Sequence, residues 1–273
     1  MDYRITDGGI IVKQEDFSLS QTLDCGQAFR WQMREDGSFE GFYLNRYLHV
    51  SETGNGEFFF HDVSEDELLN VWKDYFDFDT DYSLLKERFS EDETLAKACS
   101  FASGIRILRQ DFWETLCSFI ISQNNNIPRI KGIIGRLCER YNVFPSAEML
   151  SSETVEGLAF LKAGFRAKYI SDAAVKTASG EISPEAVSLM PSDEAAAELM
   201  KIKGVGPKVA ACVLLFGLHR MEVYPVDVWI KRVLETFYPD GMPECTRGYE
   251  GAAQQYLFHY VRCHPEELRE LNK

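Results

Sequence analysis

The sequence has no apolar run near the length of a membrane span and no pattern of an export signal. No uninterrupted hydrophobic stretch approaches the roughly 20 residues that a spanning helix needs. The first residues, MDYRITDGG, lack a basic flank followed by an apolar stretch. We therefore expect no membrane association and a cytoplasmic location.

Clusters of cysteine and histidine are missing as well. The seven cysteines are scattered, and most lie in apolar helical patterns such as TLCSFII and RLCERY. This distribution indicates reduced thiols and not a disulfide framework. The five histidines are dispersed, and no His/Cys/Asp group has the spacing of a catalytic metal site. The sequence therefore predicts chemistry that needs no metal.

Positive charge is scarce, with 29 Lys and Arg against 43 Asp and Glu and a net charge of −14. Taken alone, this charge argues against a nucleic-acid partner. The imbalance lies in residues 1–100, which hold 9 basic and 22 acidic residues, whereas residues 101–273 hold 20 and 21. The second part can therefore hold a local basic face. Its candidate residues are Arg106, Arg109, Arg129, Lys131, Arg136, Arg166 and Lys168.

The pattern of apolar residues changes near Glu65. Before it, short segments rich in β-branched and aromatic residues alternate with Gly, Asp and Asn turns: GGIIVK, AFRWQMR, SFEGFYLN, RYLHVSE and GEFFFHDV. After it, apolar residues recur at three- and four-residue spacing, as in DFWETLCSFIISQ and VDVWIKRVLETFY. The sequence therefore predicts an α+β protein, with an antiparallel sheet domain over residues 1–80 packed on a larger all-helical domain over residues 81–273.

The stretch LMKIKGVGPKVAACVLLF, residues 199–216, is the most informative. One helix ends before Gly204 and Gly206, and another begins at Pro207, a residue suited to a first helical turn. Exposed amides at such a turn form a site for an anion such as a phosphate. The alternative interpretation is an ordinary turn between two helices. Lys208 follows at once and Asp227 comes nineteen residues later; taken singly, they are typical of a surface lysine and an N-cap.

Five segments together identify a family. They are GVGPKVA, PVDVW, CGQAFRW at 25–31, SQNNNIPRI at 122–130 and AGFRAKY at 163–169. The chain resembles the 8-oxoguanine DNA glycosylases of the helix-hairpin-helix superfamily, and the matches cover most of its length. The resemblance implies a TBP-like sheet, a helix-hairpin-helix in the helical part, and an active site between the two parts and within the helical one.

The resemblance also implies the reaction. Lys208 matches the nucleophile that attacks C1′ of the damaged nucleotide, forms a Schiff base and leads to β-elimination, and Asp227 matches the carboxylate that stabilises charge on the sugar. Gly26 would accept the N7 hydrogen of the lesion, Cys212 and Phe258 would sandwich the base, and Gln254 would bind its Watson–Crick edge. Phe216 stands in the pocket wall where methionine is common.

The opposite strand has its own predicted contacts. Asn124, Arg129 and Arg166 match the residues that hold the cytosine left unpaired, so lesions opposite C should be preferred. Phe165 replaces a wedging tyrosine. Further DNA contacts are expected from the amides of Gly204 and Gly206 and from Trp229, which replaces a histidine found in animal members.

For cofactors and partners, the resemblance implies double-stranded DNA containing an oxidised purine, acted on by a monomer, nucleoid-associated if the source is bacterial. Only Cys245 and Cys263 lie where some superfamily members carry four cluster ligands, so we expect no iron–sulfur cluster. A structural cation, bound through backbone carbonyls near Lys201, Lys203 and Gly206, is a further expectation of the superfamily.

Two other functions compete with this one. A monofunctional glycosylase for alkylated bases shares the sheet-plus-helices plan but lacks the nucleophilic lysine. A helix-hairpin-helix module that only binds DNA would explain GVG alone, but not Lys208 paired with Asp227.

Overall fold

The computed structural model describes residues 1–268, and its N-terminal part is one six-stranded antiparallel sheet. The strands are β1 (Asp2–Thr6), β2 (Gly9–Lys13), β3 (Trp31–Met33), β4 (Phe39–Tyr43), β5 (Arg46–Gly54) and β6 (Glu57–His61). Their order across the sheet is β1-β2-β6-β5-β4-β3. Four of the five predicted strand segments contain one of these strands, and the fifth, RYLHVSE, covers β5 except for its last two residues. The additional strand, β1, lies at an edge and is mostly exposed, so its sequence lacks the alternation that marks a half-buried strand.

One face of the sheet is apolar and covered by a helical run. Val12 and Phe58 alternate with exposed or half-buried neighbours on β2 and β6 and are fully buried. They pack under a continuous helical segment made of α2 (Glu65–Glu67), a π-helical turn (Leu68–Trp72) and α3 (Lys73–Tyr75). Trp72 and Phe76 bring aromatic rings from that segment into the same core. One face of the sheet is therefore covered by residues that precede the main helical part in the chain.

The rest of the described chain is helical apart from its loops. The α-helices outside that segment are α1 (Leu19–Leu23), α4 (Tyr82–Phe89), α5 (Glu93–Phe101), α6 (Phe112–Ser122), α7 (Ile127–Tyr141), α8 (Ala147–Ser151), α9 (Ala167–Ala178), α10 (Pro184–Leu189), α11 (Ser192–Leu199), α12 (Pro207–Cys212), α13 (Val228–Phe237) and α14 (Glu250–Cys263). Short 3-10 turns lie at Gly157–Leu161, Gly164–Arg166 and Glu244–Thr246, and a π-helical turn at Val213–Gly217 extends α12. No helix within residues 1–268 is long and apolar enough to cross a membrane.

The two cores exchange residues across their boundary. Cys25 and Phe29, from the sheet part of the sequence, pack in the helical core, whereas Leu108 packs in the sheet core. Buried Gln27 ties the parts together, because its amide nitrogen donates to the carbonyl of Arg106 (2.8 Å) and its oxygen accepts from the backbone N–H of Leu108 (3.0 Å). The division at residue 80 stays a prediction.

Arg106 corrects one expectation. We predicted it for a basic surface, but its side chain is inside the protein, with 1% of the residue exposed. Its guanidinium donates to the backbone carbonyls of Asp16 (3.1 Å), Asp77 (2.8 Å) and Thr80 (2.7 Å). A buried guanidinium with these partners holds loops together and is not available to DNA.

Candidate active site

The hairpin between α11 and α12 has one glycine that packs tightly and one that is open. Gly204 has φ +80°, and a Cβ built there would lie 2.4 Å from the ring of Tyr169. Gly206 has no atom within 4 Å of such a Cβ. Asp172 on α9 accepts the backbone N–H of Lys203 at 2.7 Å and so anchors the turn. The first glycine therefore lets the hairpin pack on α9, and the second leaves the helix start free of side chains.

Two of the backbone carbonyls that are expected to bind a cation accept hydrogen bonds within the protein. Lys176 donates its ammonium to the carbonyl of Lys201 at 2.5 Å, and the carbonyl of Gly206 accepts the backbone N–H of Ala210 at 3.0 Å. The ammonium of Lys176 occupies one acceptor direction of the Lys201 carbonyl, whereas the Gly206 carbonyl keeps a second lone pair, so the expected cation site stays a prediction. Within the described chain, no three His, Cys, Asp or Glu side chains are grouped so that they could hold one.

Lys208 lies on the first turn of α12, half-buried beside aromatic and sulfur atoms. Its Nζ is 5.2 Å from the centroid of the Phe119 ring on α6. Burial raises the pKa of the Cys212 thiol to about 11; the Lys208 ammonium opposes this rise, and the carboxylate of Asp227 adds to it. Charges act on a buried thiol in this way only from nearby. Helix α12 and the start of α13 therefore bring an amine, a thiol and a carboxylate together.

Asp227 is the N-cap of α13. Its Oδ1 accepts the backbone N–H groups of Trp229 at 3.0 Å and Ile230 at 2.9 Å. The capping alternative from the sequence is therefore confirmed. Its other oxygen, Oδ2, has no hydrogen-bond partner among residues 1–268, so the cap fixes the carboxylate and leaves one oxygen available for chemistry.

The loop at Gly26 faces α14. Gly26 has φ +90°, and a Cβ there would lie 3.8 Å from Ile127 and 3.9 Å from the ring of Phe258. Gln255 on α14 fixes this approach by donating its side-chain amide to the carbonyl of Cys25 at 3.2 Å. The carbonyl of Gly26 itself accepts no hydrogen bond within the part of the chain that the structure describes. The structure thus brings together Gly26 and Phe258, which are far apart in sequence.

Gln254 lies one turn before Phe258 on α14 and has an unsatisfied amide. Only 3% of the residue is exposed, and its Oε1 is buried without a hydrogen-bond partner among residues 1–268. A buried amide oxygen left unpaired is costly, by about 1–3 kcal/mol. Such a group is a common sign of a ligand site, because a ligand can supply the missing donor.

Phe119 is a site residue that the sequence did not predict. Its ring stacks on Phe216, with centroids 5.4 Å apart and an interplanar angle of 14°, and makes an edge contact with Phe29 at 5.7 Å. Together with Cys212, these rings enclose the side of the site next to Lys208. In the sequence, Phe119 belongs to the apolar run SFIIS, which is typical of a buried helix. No local signal distinguishes a core phenylalanine from one that lines a site.

The predicted opposite-strand residues form a second group around the Asn124 loop. Asn124 is exposed, with φ +47°. Arg166 is only 3% exposed and donates to the carbonyls of Gln123 (2.7 Å), Asn124 (2.8 Å) and Ala163 (3.1 Å). Burial, and then the charge of exposed Arg129, lowers the pKa of Arg166. Arg166 therefore shapes the loop, while Arg129 and Asn124 remain accessible.

Two predicted DNA-contact side chains carry an arginine over their rings. Phe165 is 46% exposed, with the guanidinium carbon of Arg166 at 4.5 Å from its ring centroid. The guanidinium carbon of Arg232 lies 5.7 Å from the ring centroid of Trp229, which is at the start of α13. An exposed aromatic ring beside Arg166, which binds the Asn124 carbonyl, has the character of a wedge between bases.

Comparisons with known proteins agree with this geometry. Residues 9–116 match the model of the 8-oxoguanine DNA glycosylase N-terminal domain, and residues 117–243 match that of the HhH-GPD superfamily base excision DNA repair proteins. The N-glycosylase/DNA lyase of Saccharomyces cerevisiae is 32% identical over 286 residues, which cover 87% of this chain and 72% of the relative.

Two solved structures share the whole fold. One is MBOgg1 in complex with a low-affinity DNA ligand, with 41% identity and a TM-score of 0.90, covering 97% of this chain and 100% of that chain. The other is the Clostridium acetobutylicum 8-oxoguanine glycosylase/lyase in complex with double-stranded DNA containing cytosine opposite 8-oxoG, with 36% identity, a TM-score of 0.89 and the same coverage. The predicted α+β fold is confirmed, and the chain belongs to the 8-oxoguanine DNA glycosylase family of the helix-hairpin-helix superfamily.

Proposed function

We propose that this protein is a bifunctional DNA glycosylase and abasic-site lyase that removes 8-oxoguanine from double-stranded DNA. The observation that carries the proposal is the placement of Lys208, on the first turn after the hairpin, beside the buried thiol of Cys212, whose pKa responds to the charges of both Lys208 and Asp227. A DNA-binding module that lacks catalysis has no need of this arrangement, and neither has a monofunctional glycosylase.

The reaction follows from the two side chains. The uncharged amine of Lys208 attacks C1′ of the flipped nucleotide, the bond from C1′ to the base nitrogen breaks, and the base departs with that electron pair. The free Oδ2 of Asp227 stabilises the positive charge that develops on the sugar. The nitrogen then loses a proton, the C1′–O4′ bond breaks as O4′ takes up a proton, and the C=N bond of the Schiff base forms. Loss of a C2′ proton and β-elimination then break the bond from C3′ to oxygen and release the 3′ phosphate.

Base recognition is assigned to the facing walls of the pocket. The unpaired carbonyl of Gly26 is available for the N7 hydrogen that 8-oxoguanine has and guanine lacks, and the unpaired Oε1 of Gln254 accepts from the Watson–Crick edge. Cys212 and Phe258 contact the two faces of the base. On the other strand, Asn124 and Arg129 contact cytosine, with their loop held by Arg166.

We further propose that the enzyme acts as a monomer in the cytoplasm and needs no metal, iron–sulfur cluster or organic cofactor. Lys208 supplies the nucleophile and Asp227 the charge stabilisation, so each step above is performed by a side chain of this protein. Activity should therefore survive extensive treatment with a chelator.

The test is borohydride trapping on a duplex with one 8-oxoguanine opposite C. The wild type should form a covalent adduct, Lys208→Gln should form none, and Lys97→Gln, which changes an exposed lysine on α5, should trap like the wild type. Release of the base without an adduct would favour the monofunctional glycosylase. Absence of both would overturn the proposed function.

A further inference from the structure

Arg262 continues the pocket face of α14 toward solvent. Gln254, Phe258 and Arg262 follow one another at four-residue intervals, which places them along one side of the helix. The guanidinium carbon of Arg262 lies 5.2 Å from the centroid of the Phe258 ring. Its Nη1 is 3.9 Å from the position that a Cβ on Gly26 would take. The face therefore runs from a buried amide, past an aromatic ring, to a guanidinium at the mouth of the pocket beside Gly26.

The donors of Arg262 are free. Within residues 1–268 it forms no ion pair and no side-chain hydrogen bond, unlike Arg166, whose donors are used by backbone carbonyls. Its charge contributes, after burial, to the lowered pKa of neighbouring His259. A guanidinium has five N–H donors and keeps its charge at any physiological pH, so an unpaired one beside a pocket is suited to an oxygen acceptor.

We propose that Arg262 is a specificity-determining residue that donates a hydrogen bond to the C8 carbonyl oxygen of 8-oxoguanine. This inference rests on the proposed function. The lesion differs from guanine at two adjacent atoms: N7 carries a hydrogen, and C8 carries an oxygen in place of a hydrogen. The Gly26 carbonyl is an acceptor for the N7 hydrogen, and the Arg262 guanidinium is a donor for the oxygen on C8. The guanidinium lies 3.9 Å from the position that a Cβ on Gly26 would take.

The pairing explains how both differences are recognised at one place. Where 8-oxoguanine presents O8, guanine presents a C–H group, which leaves the guanidinium without an acceptor. The contact of Arg262 with the Phe258 ring limits the motion of the side chain, so less freedom is lost when the hydrogen bond forms. A DNA phosphate is the other oxygen acceptor that could reach this position, and the two can be separated by experiment.

The experiment compares two substrates, each opposite C: a duplex with 8-oxoguanine and a duplex with a preformed abasic site, which has the phosphates but no base. Single-turnover cleavage is measured for the wild type, Arg262→Leu, Arg262→Lys and Arg140→Leu. Arg140 is a matched control, because it is an exposed arginine over the ring of Phe160 at the far end of α7. Thermal unfolding of each variant is measured in parallel.

For Arg262→Leu we expect excision of 8-oxoguanine to slow about 10- to 100-fold, the loss typical of a hydrogen bond to a charged group. Cleavage at the abasic site should stay within about 2-fold. Arg262→Lys should recover part of the rate, and Arg140→Leu should match the wild type.

Equal losses on both substrates would overturn the base contact in favour of a phosphate contact, and unchanged excision by Arg262→Leu would overturn any contact. Both results leave the wild-type activity, and with it the proposed function, intact. Only a wild type that fails to release 8-oxoguanine overturns both.

Discussion

The helix cap at Asp227 uses only one of its two carboxylate oxygens. Oδ1 accepts two backbone N–H groups at the start of α13, whereas Oδ2 is unpaired in the described chain. Asparagine caps helices as well as aspartate does but carries no charge. We therefore expect Asp227→Asn to keep the free energy of unfolding within about 0.5 kcal/mol while slowing base excision by about 100-fold or more.

Alanine at the same position separates the two roles. Asp227→Ala should lose about 1 kcal/mol of stability in urea unfolding because the cap is gone, and its excision rate should fall as in Asp227→Asn. If Asp227→Asn excised 8-oxoguanine at the wild-type rate, Asp227 would be a cap only.

The catalytic roles of Lys208 and Asp227 stay predictions, and they are predictions that short motifs allow. Lys208 follows GVGP directly and Asp227 stands in PVDVW, so both could be found from short segments. Phe119 could not, because an aromatic residue inside an apolar helical run is equally typical of a core. The involvement of Arg166 with backbone carbonyls was also beyond the sequence, since the Gln123 carbonyl that it binds lies 43 positions away.

At the scale of elements, the hairpin offers a direct comparison between two glycines. Gly204→Ala combines a positive φ with a Cβ 2.4 Å from the Tyr169 ring, whereas Gly206→Ala meets no atom within 4 Å and has φ −108°. We expect Gly204→Ala to lower the free energy of unfolding by about 2–4 kcal/mol, because both strain and overpacking act. Gly206→Ala should change it by less than about 1 kcal/mol.

Urea unfolding of both variants checks this expectation, and DNA binding can be followed beside it. Similar stability for the two variants would mean that the Tyr169 ring moves away from position 204 at little cost.

The contact between Arg30 and Glu114 predicts a pH dependence. Arg30, just before β3, pairs with Glu114 on α6 at 2.9 Å. Burial raises the pKa of Glu114 to about 7, although Arg30 opposes the rise. Because this value lies above that of the unfolded chain, the folded protein holds a proton that the unfolded chain releases first. The contribution of Glu114 to stability is therefore greatest at acid pH and declines as the pH rises toward about 7.

Replacing the carboxyl by an amide should remove this dependence. For Glu114→Gln, the free energy of unfolding between pH 5 and 7 should decline less with rising pH than in the wild type. The control is Glu139→Gln, which changes an exposed residue of α7 and should keep the wild-type slope. An unchanged slope in Glu114→Gln would show that another group controls this pH range.

Long periodic elements were easier to predict than short ones. The segments that became α6, α7 and α13 carry clear helical spacing, and each is capped by an Asp or Asn next to it. The helices α1, α8 and α10 have five or six residues and were not predicted, because so short a segment shows less than two turns of periodicity. The serine N-caps Ser146 and Ser183 begin α8 and α10, and tertiary packing stabilises these short helices.

For the whole molecule, the uneven distribution of charge predicts the rate at which the protein associates with DNA. Residues 1–100 hold most of the −14 net charge, so the long-range repulsion of DNA comes mainly from this part of the chain. Glu35 and Glu52 are exposed on the sheet part, and Glu35→Lys with Glu52→Lys would reduce the net charge from −14 to −10. We expect this double variant to associate with DNA several-fold faster at low salt.

The gain should disappear near 0.2 M salt, where screening shortens the range of the repulsion to less than about 10 Å. Stopped-flow association measures both conditions, and single-turnover excision at saturating enzyme should not change. A gain that persists at high salt would indicate a new local contact and not a weaker long-range repulsion.

The hydrogen bond from Gln255 to the carbonyl of Cys25 joins the Gly26 loop to α14 across 230 positions of the chain. During synthesis on the ribosome, the segments with Lys208 and Asp227 emerge before the helix that carries Gln254 and Phe258. The contact between Gln255 and Cys25 can therefore form only after the helices between them have been synthesised. The Gly26 loop and α14 thus come together later than local contacts such as the α11–α12 hairpin.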